Sequence, residues 1–174
     1  MKLFVIYIGG SHIKSLIELH DIRFVLADKI EDTYDTLRES WWGISKSLHI
    51  DAWGNLGYAD GYKIEISKRD KKKNIKKLYF VNLGGYDPKQ FTELHKNIFV
   101  VASSESEARH KAIQHIREWQ VPHLDFLYQI DNLLNINLLI EEEGYHLHLI
   151  EQRDPEPFSF ICQYNPIGKK TLEE

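Results

Sequence analysis

The sequence has a single cysteine, Cys162, which excludes an internal disulfide and fits a reducing compartment. It has no apolar run of membrane-spanning length. The N-terminal run Leu3–Ile8 stops after six residues at Gly9-Gly10 and the polar Ser11-His12, and no small-residue cleavage site follows. A cytoplasmic protein without a membrane partner is the expectation. Positive charge is not in surplus: 22 Lys and Arg stand against 26 Asp and Glu, a net charge of −4. Counterion-release binding needs clustered cations, so a nucleic-acid partner is not expected. No cofactor signature is complete. Gly9-Gly10 and Gly84-Gly85 follow apolar strands, but lack the further glycines of the dinucleotide fingerprint and the Lys-Ser/Thr of the P-loop. Positive φ in a tight turn is the simpler reason for such pairs.

What the sequence does have is a stretch written twice. Leu3-Phe-Val-Ile-Tyr-Ile-Gly-Gly10 leads to Glu18-Leu-His20 and Phe24-Val-Leu-Ala27. Seventy-five positions later, Leu78–Gly85 leads to Glu93-Leu-His95 and Phe99-Val-Val-Ala102, with ten ungapped identities over residues 3–28. Such self-similarity indicates a tandem duplication. A unit of about 75 residues is marginal for a core of its own, so the two copies are expected to share one compact body.

Each copy reads strand, strand, helix, loop, strand. Leu3–Ile8 is continuously apolar and β-branched, as a strand buried on both faces is. A loop and a long strand are expected over 17–27 and 92–102, although Asp87-Pro88-Lys-Gln90 also resembles a helix start. Asp28 is placed to cap a helix carrying Ile30, Tyr34, Leu37 and Trp41 on one stripe. In the second copy Ser104-Glu-Ser-Glu107 forms a capping box before Ala108, Ala112, Ile116 and Trp119, and Val121-Pro122 ends that helix. Gly61-Tyr62-Lys-Ile-Glu-Ile66 and Gly144-Tyr145-His-Leu-His-Leu149 read as the closing strands. The fold class is α+β, with mixed sheets and helices packed on one face. Second and third strands joined through a helix would run parallel if they are neighbours. The divisions are a first repeat (1–67), a basic linker (68–77) with seven cations in ten residues, a second repeat (78–150) and a C-terminal extension (151–174). The linker lacks interleaved aromatics and reads as a solvated connection. The extension packs Phe158 and Phe160 on the body or on a partner chain.

The run Leu83-Gly-Gly-Tyr-x-Pro-x-x-Phe-x-Glu-x-His95, leading into Phe99-Val-Val-Ala102, resembles the bacterial family known as domain of unknown function 1543. So do its counterparts Ile17-Glu-Leu-His-Asp21 and Trp41-Trp-Gly43. The resemblance spans roughly residues 3–150 and implies no reaction.

Chemistry can rest on few groups. Glu18 and His20, like Glu93 and His95, share a face if extended, and an acid beside an imidazole is a base pair or half a metal site. The bland reading is a structural hydrogen bond that the duplication copied. His49-Ile-Asp51 and His123-Leu-Asp125 recur after each helix, either as oriented imidazoles or, more simply, as Asp-stabilised turns. His146 and His148 have no first-copy equivalent, and Cys162 has no base near it in sequence. Catalytic residues, metal and cofactor stay unassigned. The favoured reading is a non-catalytic binding or interaction protein that self-associates as a two-fold dimer. The alternative is a small-molecule enzyme or metal protein that uses the four Glu and His groups.

Overall fold

The computed structural model describes residues 1–69, 75–87, 89–116, 129–154 and 156–168. In chain order the elements are β1 (Lys2–Gly10), β2 (Leu19–Ala27), α1 (Tyr34–Ser40), β3 (His49–Asn55), β4 (Tyr58–Ala59), β5 (Tyr62–Ser67) and β6 (Lys77–Tyr86). There follow β7 (Glu93–Ala102), α2 (Glu105–Ile116), β8 (Gln129–Asn135), α3 (Ile136–Glu142), β9 (His146–Glu151) and β10 (Ile161–Pro166). The fold is α+β: among the described residues, three short α-helices accompany three sheets whose registered pairs are all antiparallel. The chain forms two compact units, Met1–Gly57 with Pro157–Glu174, and Tyr58–Glu156. No helix among the described residues is long and apolar enough to cross a membrane.

The first unit is built on one sheet of strand order β10-β3-β1-β2. Phe4, Ile6 and Ile8 of β1 form a core with Val25, Ala27, Ile30, Leu37, Trp41 and Ile50. Leu3 and Val5, which alternate with them, are buried as well, and this is why β1 is apolar without a break. A 3₁₀ turn (Ile30–Thr33) runs into α1, and the expected stripe of Ile30, Leu37 and Trp41 is buried. Asp28 does not cap this helix. Pairing of Lys2 with Ala27 brings the N-terminus alongside, and Asp28 Oδ1 meets the Met1 amine at 2.7 Å. That amine's hydrogen bond and charge hold the Asp28 carboxyl below its usual range.

Residues 49–51 form no turn. They open β3, and Ile50 lies in the core opposite Ile8. The register then breaks: Tyr7 pairs with Ala52 and Ile8 with Ile50, so Asp51 is an extra, unmatched residue. This bulge shifts the alternation, placing Trp53 opposite Ile6 against the core. β10, from the extension, lies on the other edge of β3, where its register also breaks between Cys162 and Asn165. Asn165 donates to the Tyr34 hydroxyl at 2.8 Å, and Ile167 is buried.

The second unit holds a sheet of order β7-β6-β8 and another of order β4-β5-β9. Tyr79, Val81 and Leu83 of β6 pack with Val100, Ala102 and the α2 alanines Ala108 and Ala112. Trp119, Val121 and Pro122 lie outside the described residues. The α2 capping box forms with a change of partner. The Ser104 hydroxyl accepts from Glu107 N at 3.2 Å, while the Glu107 carboxylate takes the amide of Ser103 at 2.9 Å, and its hydroxyl, rather than the amide of Ser104. Asp87 makes a turn, not a helix start: its Oδ1 accepts from Lys89 N at 2.9 Å. The β6–β8 register breaks between Asn82 and Leu83, leaving Asp131 unmatched as Asp51 is in β3. The second and closing strands of a copy do not become parallel neighbours: β2 and β7 pair with β1 and β6, whereas β5 and β9 lie in a separate sheet. The closing strands assigned one to each copy, β5 and β9, pair with each other, with Ile64 opposite Leu149. Both follow a glycine at positive φ, Gly61 (81°) and Gly144 (77°), which explains the shared Gly-Tyr.

Candidate metal centre

The polar groups of the first unit converge on the face of its sheet opposite α1. Gly9 of β1 pairs with His20 of β2 on one side and with His49 of β3 on the other. Directly paired residues share a face, so both imidazoles stand over Gly9. The bulge adds Asp51 to the same place, and Glu18 reaches in from just before β2.

The contacts are close. Glu18 Oε1 lies 3.3 Å from His49 Nε2, and Glu18 Oε2 lies 3.6 Å from His20 Nε2. Asp51 spans the same two nitrogens, with Oδ1 at 3.4 Å from His49 and Oδ2 at 3.4 Å from His20. Glu18, His20 and His49 offer ligand atoms that all lie within 4.8 Å of one another. His49 is only 2% exposed, whereas Glu18, His20 and Asp51 reach solvent. Its Nδ1 donates to the Ser47 carbonyl at 2.8 Å, because a carbonyl can only accept. In the neutral ring, Nε2 therefore carries the lone pair and points it between two carboxylates. His49 Nε2 and Asp51 Oδ2 are buried and have no hydrogen-bond partner among the described residues. A lone pair facing carboxylate oxygens is repulsive unless a proton or a metal ion sits between them.

Gly9 makes the room. A Cβ there would come within 2.7 Å of His49 Nε2, 2.8 Å of Asp51 Oδ2 and 2.9 Å of His20 Cδ2. The expected positive φ is absent: Gly9, Gly10, Gly84 and Gly85 all lie in extended strands, and Gly9 is required by close approach. Two tyrosines flank the imidazoles. The Tyr7 ring stacks on His20 at 5.2 Å and 5°, and Tyr164 of β10 lies 4.6 Å from the His49 ring. Burial first, then the charges of Asp51 and Asp21, push the Tyr7 phenol above its ordinary value.

Glu18 and His20 belong to the first unit, Glu93 and His95 to the second. Glu93 and His95 pair with each other at 3.7 Å in the second unit, where Gln129 stands opposite Gly84 as His49 stands opposite Gly9. His123 and Asp125 lie outside the described residues. The strand register thus matches His49-Ile-Asp51 to Gln129-Ile-Asp131. His148 is a satisfied core histidine, with Nε2 at 2.8 Å from Ser67 Oγ and 3.1 Å from the Arg69 carbonyl. Ser47, Tyr7 and Tyr164 went unmarked in the sequence. No sequence motif points to them: Tyr7 and Tyr164 join the site through the sheet, and Ser47 through its backbone carbonyl in the turn before β3.

Residues 15–66, which hold Glu18, His20, His49 and Asp51, match a family model. The family is described as Domain of Unknown Function (DUF1543), and it is what this segment is similar to. The chain is also similar to a protein from Idiomarina loihiensis, Il1583, whose crystal structure shares 29% identity and a TM-score of 0.72 over 97% of this chain and 99% of that one. No curated protein matches the chain. The whole acid–imidazole cluster therefore falls inside the DUF1543 segment, while Gly9, Tyr7 and Tyr164 are supplied from outside it.

Proposed function

We propose that the first unit is a binding module for a divalent transition-metal ion, held by His20, His49 and Glu18 with Asp51 beside them. One observation carries this reading: a buried imidazole, its Nδ1 fixed by a backbone carbonyl, aims a partnerless Nε2 at two carboxylates and a second imidazole. A carbonyl-held Nδ1 is how metal-bound histidines are oriented. Two imidazoles and carboxylate oxygens suit zinc, manganese, iron, cobalt or nickel, and the donor set contains no thiolate. Two carboxylates would offset the charge of the ion. His20 and Glu18 are accessible, so a bound ion would keep a side open to water or an exogenous ligand.

The two units would descend from one duplicated strand–strand–helix–strand element, which the matching bulges at Asp51 and Asp131 support. On this reading the second unit has lost the third-strand histidine, and the chain takes one ion. Titration calorimetry of the full chain, purified without a polyhistidine tag, tests this. One zinc per chain is expected, with affinity reduced by about 100-fold in His49→Gln. No heat with zinc, cobalt, manganese or nickel would sink the reading.

An interaction role is favoured by a separate observation. Ile13, Leu16, Ile17 and Trp42 are exposed apolar side chains, and a second copy of the chain would cover them. Light scattering after size exclusion decides it: a monomer at micromolar concentration refutes the dimer.

A further inference from the structure

We infer that the C-terminal strand is a working part of this site, and that Tyr164 is its positioning residue for His49. The inference rests on the metal reading above, and three observations lead to it. First, β3 breaks register with both of its neighbours at the same place. Asp51 is unmatched against β1, and the β3–β10 pairing jumps from Cys162–Ala52 to Asn165–Ile50, with Asp51 in the gap. The two bulges let this stretch follow the demands of the cluster rather than the pleat.

Second, the chain released by the β10 bulge is Gln163-Tyr164, and the Tyr164 ring lies against the imidazole of His49 at 4.6 Å and 39°. His20 has the same arrangement from the opposite strand, with Tyr7 stacked on it. Each imidazole is thus backed by a tyrosine, one from the first strand and one from the last. Third, β10 is pinned where it delivers that ring. Asn165 donates to Tyr34, Ile167 is buried in the core, and the amides of Ile167 and Gly168 both donate to the Leu48 carbonyl, at 3.0 and 2.9 Å. Arg38 Nε donates to the Ile167 carbonyl at 2.7 Å. Tyr164 itself is 65% exposed, too open for a core role, yet its face is spent on the one buried histidine of the cluster. Among the described residues, the corresponding sheet of the second unit has no fourth strand. The strand is therefore present where the third-strand histidine is present.

The ring holds the His49 plane from the side that the Ser47 bond does not reach. It also lies on the face of an imidazole that is only 2% exposed. The test uses full-length Tyr164→Ala and Tyr164→Phe with two readouts. In the metal-free protein, diethyl pyrocarbonate labelling followed by mass spectrometry gives the His49 reaction rate, with exposed His110 as internal reference. Tyr164→Ala is expected to raise the His49 rate about tenfold and Tyr164→Phe to leave it unchanged, since the face and not the hydroxyl does the packing. In the cobalt-loaded protein, Tyr164→Ala is expected to weaken binding about tenfold and to alter the visible d–d spectrum, while Tyr164→Phe keeps both. An unchanged His49 rate in Tyr164→Ala overturns the role of Tyr164, whatever cobalt does. A wild-type chain that binds no cobalt overturns the metal reading, and the labelling result still decides whether the strand positions His49.

Discussion

Replacing Gly9 by alanine is the sharpest way to probe the cluster, because the added methyl lands inside it. It would sit 2.7–2.9 Å from atoms of His49, Asp51 and His20, all of them side-chain atoms. Contacts this short are not tolerated, so the imidazoles and the carboxylate must swing away. Overpacking of this kind costs about 1–3 kcal/mol of stability. The ligands' mutual geometry suffers more, and a loss of affinity of about 100-fold is expected. Zinc at 100 times the wild-type dissociation constant stabilises the wild-type chain by about 2.7 kcal/mol. In Gly9→Ala the same zinc only equals the new constant and contributes about 0.4 kcal/mol. At about 2–4 °C per kcal/mol for a chain of this size, the zinc-induced rise in Tm should fall from about 5–11 °C to about 1–2 °C. Differential scanning calorimetry with and without zinc reads this directly. A variant that melts lower but keeps the full zinc-induced rise would refute the cluster as the metal site.

Other outcomes follow from the same structure. His95→Gln is expected to leave zinc stoichiometry and affinity as in wild type, by calorimetry, because its unit lacks the third-strand histidine. Zinc affinity should fall as the solution is acidified, since protons compete for the lone pairs of His20 and His49, and each bound ion should release protons measurable with buffers of different ionisation enthalpy. The bonds from Ser103 and the charge of Lys111 hold the Glu107 carboxyl down at about 2, against an ordinary value of 4.5. A lowered native value gives stability that is complete above the ordinary range and is lost as pH falls through about 2. Glu107→Gln should therefore melt below wild type at neutral pH, and the gap should close across that acid window. Leu37, fully buried in the first core, should cost about 2–5 kcal/mol on truncation to alanine, by chemical denaturation.

The sequence exposes the strands and helices that keep a clean period. β1 comes from an uninterrupted apolar run and β6 from the repeat of it, β2 and β7 from the β-rich stretches 22–26 and 98–101, and the α1 stripe from its helical spacing. β3 hides because its alternation breaks inside His49-Ile-Asp-Ala-Trp53: the bulge at Asp51 puts Ile50 and Trp53 on one face, three residues apart. That broken period made residues 49–51 look like a turn. The acid–imidazole pairs were legible as chemistry, but not their grouping. His49 meets His20 only because both flank Gly9 in neighbouring strands, a fact of register that no local motif encodes. The tail offered less still, since β10 has no repeat partner, and its one site residue is recognisable only by the ring it touches.

The first unit closes with a strand drawn from far along the chain. Residues 1–57 emerge early, but the strand that covers the β3 edge comes more than a hundred positions later, after the whole of the contiguous second unit. Until β10 is made, that edge is an open template for stray strands. A chain that stops before β10 should therefore clump where one that includes it stays dispersed.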